Sequence, residues 1–84
     1  MNDPKSAEFR HLFGKANDAR RGGRDAWSAQ STGEKVAVAL VLNRPDWLAD
    51  MGYTLAEAID RTGPTWLAFV PAIAREMSDL GDAL

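Results

Sequence analysis

The chain contains no cysteine and a single histidine. Without thiols there is no disulfide framework and no thiolate zinc site, and one imidazole leaves a transition metal short of its usual ligands. No cofactor is therefore expected. No apolar run approaches the roughly 20 residues needed to cross a bilayer, and no apolar stretch follows a basic start. No membrane partner is expected, and a cytoplasmic setting fits. The glycines at 22, 23, 33, 52, 63 and 81 sit at the ends of expected elements, without the lysine-bearing spacing of a phosphate-binding loop. There is no internal repeat and no low-complexity tract.

What is present is a globular composition, 45% hydrophobic, enough for one small domain with a modest core. Its most informative stretch is Ser31 to Gly63. Ser31-Thr32-Gly33-Glu34 fits a capping box, in which the serine oxygen takes a first-turn N–H and the glutamate reaches back to the cap. Val36 to Leu42 follows, apolar at every position. The valines lean towards strand. The capping box and the alanines at 37 and 39 lean towards helix, and a helix over Thr32–Asn43 is the expectation. A helix apolar all round must be buried on most sides, so this one should form the centre.

Pro45 disfavours helix at Arg44 and suits the first position of a new helix, predicting a short helix over Pro45–Met51 closed by Gly52. Thr54-Leu55-Ala56-Glu57 is a second capping box, opening a helix that stops at Gly63-Pro64. Beyond it, Trp66, Phe69, Val70, Ile73, Met77 and Leu80 keep one helical phase through Pro71. That predicts a helix over 64–80, kinked where the proline removes a backbone donor. Upstream, Asp3-Pro4 reads as a cap and first helical position. Phe9, Leu12, Phe13 and Ala16 then line one face of a helix ending before Gly22-Gly23. The expected layout is a single all-α domain of four or five short helices. Residues 1–21 form a basic amphipathic helix, 22–30 a linker, 31–80 the helical core, and 81–84 a frayed tail.

Charge is unevenly placed. Residues 1–30 hold six basic side chains against four acidic ones, net +2, and residues 31–84 hold four against eight, net −4. A basic head on an acidic body can meet nucleic acid, an acidic partner, or the chain's own acidic half. Arg20, Arg21 and Arg24 form the densest positive cluster, able to grip phosphates or an acidic protein surface, or to complement a helix end.

Catalytic chemistry finds little support. His11 would need a nucleophile in reach, and Ser6 or Lys15 on its own helix is a poor one. Asp46 and Asp50, four residues apart, share a helix face and could in principle hold Mg²⁺, but Asp46 already suits a helix start and Asp50 open solvent. No catalytic, cofactor-binding or metal-binding residue is assigned, and no enzymatic activity is expected.

Two helices meeting at Gly52-Tyr53 have the outline of a helix-turn-helix, and LADMGYTLAEAIDRTG resembles such motifs. Ala49, Gly52 and Ile59 stand near the small, turn and buried places. The resemblance covers under a quarter of the chain, and the step from Ala49 to Gly52 is one residue short. It implies a DNA-binding regulator with Arg20, Arg21 and Arg24 on phosphates. Against it, the outward residues of the reading helix would be Ala56, Glu57, Asp60 and Arg61, where base contacts want Arg, Lys, Asn or Gln.

Tryptophans at 27, 47 and 66, with Tyr53 and Phe69, are a heavy aromatic load for so small a core. Surplus aromatics beside arginines are what protein-binding surfaces use. The leading expectation is a small non-enzymatic module that binds another protein, as an adaptor or inhibitor, with homodimerisation an option. Arg20, Arg21, Arg24, Trp27 and Arg44 are the candidate contacts. Such compact, acidic, cysteine-free chains also suit mobile-element factors that block host nucleases. Nucleic acid is the alternative partner.

Overall fold

The apolar run that begins at Val36 is helical. In the computed structural model, which describes residues 6–81, helix α2 spans Thr32–Val41. Its start is the expected capping box: Glu34 N–H donates to the Ser31 hydroxyl oxygen at 3.2 Å, and Ser31 N–H donates to the Glu34 carboxylate at 3.0 Å. Its end is a Schellman turn. Asn43 takes the left-handed conformation (φ 55°), the Arg44 N–H reaches back to the Ala39 carbonyl at 2.8 Å, and the Asn43 N–H reaches Leu40. Asparagine tolerates that conformation better than most side chains.

Helix α3 (Pro45–Asp50) begins with proline in its first turn and closes the same way. Gly52 (φ 81°) is the left-handed residue, and the Tyr53 N–H donates to the Leu48 carbonyl at 2.9 Å. Helix α4 (Leu55–Gly81) opens on the second capping box, with Thr54 and Glu57 exchanging bonds of 3.1 and 2.9 Å. Helix α1 (Ala7–Ser28) is capped by Ser6, whose hydroxyl accepts from the Phe9 N–H at 3.3 Å. The Asp3-Pro4 start and most of the tail expected at 81–84 lie outside the described residues.

Two long helices are interrupted where glycine takes a backbone that L side chains rarely adopt. In α1 the break is Gly23 (φ 72°, ψ −158°), and in α4 it is Gly63 (φ 81°, ψ 163°). The segment 22–30, read from sequence as a linker, therefore contains a break followed by a further helical turn. That turn carries Trp27 into the core, 3% exposed. The interruption in α4 falls at Gly63 and not at Pro71, where the helix continues. Pro71 is exposed, on the side of α4 away from the core residues Ile73 and Met77.

The described residues form four α-helices and no strand. Val36, Ala37, Val38 and Ala39 of α2 are at most 1% exposed. Around them gather Phe9, Leu12, Ala16 and Ala19 of α1, Trp47 and Leu48 of α3, and Ala58, Ile73 and Met77 of α4. Helices α2 and α4 each touch all three of the others. The radius of gyration, 12.1 Å, matches the roughly 12 Å of a folded domain of this length.

Glycine substitutions test the two breaks. A Cβ at Gly63 or Gly23 meets no atom within 4 Å, so any cost of alanine there is a backbone cost, expected at about 1–3 kcal/mol. Gly14 lies in regular helix with equally open space, and Gly14→Ala should stabilise by about 0.5–1 kcal/mol. Urea unfolding midpoints that fail to move in opposite directions would contradict this assignment.

Candidate functional site

Three of the five candidate contact residues converge on a pair of indoles. Trp27 and Trp47 stack with ring centroids 4.7 Å apart, and both are 3% exposed. The Trp27 indole N–H donates to the Lys35 carbonyl at 2.8 Å, which settles its one polar atom inside the core. Cations surround the pair: Arg44 lies over Trp47 at 4.4 Å, with Lys35 at 5.5 Å and Arg24 at 5.9 Å from the Trp27 ring. Arg24 also pairs with Asp50, joining the end of α1 to α3.

The basic cluster is thus dispersed by folding. Arg24 is spent on the chain's own acidic half. Arg20 donates to the Asn17 side chain at 3.2 Å. Arg21 is exposed and lines a shallow cleft with Lys15, Asp18 and Gln30. Arg44 grips Asp46 through two bonds of 3.1 and 2.8 Å, a fork that holds the Asp46 carboxyl below its ordinary range and raises Arg44 in turn. Asp46 and Asp50, candidate partners for a cation by spacing, each face an arginine instead.

His11 meets Glu34, Nε2 to Oε2 at 2.7 Å, and lies beside the half-buried Trp66 with ring centroids 6.1 Å apart. Glu34 in turn holds the Ser31 N–H. The order is histidine, carboxylate, serine backbone, whereas nucleophile activation needs the imidazole between the other two. What the arrangement does is fasten α1 to the first turn of α2. Partial burial pushes the Glu34 carboxyl up, but the bonds from Ser31 and His11 and the Lys15 charge outweigh it, and its value is lowered.

The surface that sequence reasoning missed is on the first two turns of α4. Leu55 is 58% exposed and Ile59 47%, the only large hydrophobic side chains so exposed among the described residues. Ile59 stands at the place a helix-turn-helix would bury. Ala56, Glu57, Asp60 and Arg61 are exposed as expected, and Ala58 alone in these turns is fully buried. At 100° per residue, the order around this helix runs Leu55, Ile59, Ala56, Asp60, Glu57, Arg61. An apolar ridge therefore passes through a small residue into acidic ground. A cleft of about 360 Å³ adjoins the acidic side, lined by Gly52, Tyr53, Glu57, Asp60 and Arg61. A signal existed: Leu55, Ala56, Ala58 and Ile59 spread over more of the helix than one packed face can cover.

No family model, no curated protein and no solved structure matches the chain.

Two outcomes follow from the site geometry. Trp27→Ala should cost about 3–5 kcal/mol, most of the stability of a domain this small. Circular dichroism of that variant should show partial or complete unfolding, and a native-like melt would contradict the stacked pair. Glu34 has a folded value below its ordinary 4.5, so the stability it adds is complete above that pH and is lost as the pH falls through the lowered value. Glu34→Gln should be less stable than wild type at neutrality, with the gap closing in acid. A gap that stays constant down to acid unfolding would refute that role.

Proposed function

We propose that this chain is a non-enzymatic protein-binding module, an adaptor or inhibitor, that engages its partner through the outward face of the first turns of α4. The reading takes α2 as the buried centre of a scaffold that holds this face, and a cytoplasmic setting suits it. No helix among the described residues is long and apolar enough to cross a membrane.

One observation carries the proposal. Leu55 and Ile59, four residues apart on one ridge, keep 58% and 47% of their surface in water, while every other described large hydrophobic side chain is at most about a third exposed. Single exposed hydrophobics are ordinary. Two on one ridge, on a helix fixed at its start by a capping box and a Schellman turn, form a pre-organised contact. The arginine and tryptophan candidates fit this role less well. Trp27 and Trp47 are buried, and Arg24 and Arg44 are engaged within the chain. A mobile-element factor acting on host nuclease machinery remains within this class. The DNA-reading alternative keeps Arg20 and Arg21 as its phosphate contacts, but Arg61 is the one basic residue among the outward positions of the first turns of α4, beside Glu57 and Asp60.

The experiment is a pull-down from the native host with wild type and a Leu55→Glu/Ile59→Glu variant whose melt matches wild type. A stoichiometric partner held by wild type and lost by the variant is the expected result. Retention by the variant would refute the docking face. DNA binding that falls steeply with salt and with Arg20→Ala/Arg21→Ala would favour the regulator.

A further inference from the structure

Resting on that reading of the α4 face, we propose that its occupant is a basic amphipathic helix. The helical form follows from the surface. The described residues offer no sheet edge for an extended strand to join. Leu55 and Ile59 instead make an i, i+4 ridge of the kind that interdigitates with a second helix, and Ala56 beside it lets another backbone come close.

The positive charge follows from what lies next to the ridge. Asp60 is exposed and makes no ion pair among the described residues. Glu57 accepts the Thr54 N–H through one carboxylate oxygen and lines, with Tyr53, Asp60 and Arg61, the cleft beside the ridge. A helix laid on the ridge reaches Asp60 first, and Arg61 lies 100° beyond it, at the far side of the same cleft. Lysine or arginine side chains flanking the partner's apolar stripe would enter that cleft. The net charge of −2 adds weak long-range attraction for a cationic segment.

The same charges argue against a second copy. A two-fold interface places one face on a copy of itself, so the edge of Glu57, Asp60 and Arg61, net negative, would meet another of the same sign. The ridge alone also offers far less than the roughly 800 Å² per partner of a standard interface.

The test is selection from a display library of helical peptides that share an apolar pair at i, i+4 and vary in charge elsewhere. The bait is the full chain, with counter-selection against the Leu55→Glu/Ile59→Glu variant. Enriched peptides should be basic, bind on the order of tenfold more weakly to Leu55→Ala/Ile59→Ala, bind several-fold more weakly to Asp60→Asn, and weaken with salt. Enriched peptides that need Leu55 and Ile59 but are neutral or acidic, or ignore Asp60→Asn, would overturn the inference and leave the docking face standing. Selection that yields no peptide dependent on Leu55 and Ile59 overturns both. A wild-type chain that sediments as a dimer, and as a monomer when Leu55 and Ile59 are replaced, assigns the face to a second copy and overturns the inference.

Discussion

The structure depends on covering one short helix. Val36 to Ala39 are each at most 1% exposed and Val41 is 7%, while Thr32 to Lys35 and Leu40 keep part of their surface in water. A helix like that is stable only when neighbours enclose it, because its apolar surface and not its intrinsic propensity supplies most of the driving force. In so short a chain the enclosing elements must bend around it. An unbroken helix of the length of α4, 27 residues, would be about 40 Å long, more than the longest dimension of the molecule, 37 Å. The break at Gly63 is what lets one helix serve the core at Ala58 and again at Ile73 and Met77. Gly23 does the equivalent for α1, returning Trp27 to the layer that Phe9 and Leu12 began.

That return determines where the aromatic side chains and the positive charges end up. Stacking Trp27 on Trp47 fills the gap between the end of α1 and α3, and the arginines that flank these residues in sequence are carried along. Arg24 lands beside Asp50, and Arg44 lies over Trp47 while gripping Asp46. One cation of the basic head thus meets the acidic body, Arg24 at Asp50, while Arg44 and Asp46 pair within the acidic half. At the other end of α1, Phe9 meets Phe69 edge-on at 5.4 Å and His11 reaches Glu34. The aromatic surplus is largely absorbed as packing, with Trp66 and Phe69 half-covered.

Features set by neighbouring residues were legible in the sequence. Both capping boxes, the proline start of α3, the Gly52 turn and the stop at Gly63 follow from side chains or backbones acting within a few positions. Features set by distant contacts were not. The fate of Trp27 depends on Trp47 and the Lys35 carbonyl, which no local pattern announces. A kink at Pro71 was expected because the ring removes a backbone donor, while the non-helical backbone in this helix falls at Gly63. Ile59 was placed inside by likeness to a motif, whereas Ala58 takes the inward position and turns its neighbour out. Of the candidate contacts, Trp27, Arg24 and Arg44 are engaged within the chain, which charge and aromaticity alone do not announce, while Arg21 stays exposed.

Stability therefore does not explain why Leu55 and Ile59 are where they are. Their helix is anchored without them: Ala58 fills the inward place, the capping box holds the first turn, and Gly63 ends the segment independently of either side chain. Polar residues at both positions would keep the capping box and the Gly63 break and remove an exposed apolar ridge, a feature that marks interaction sites or costs solubility. Two such residues side by side, beside an aspartate that makes no ion pair among the described residues, are what the proposed contact with a partner would use.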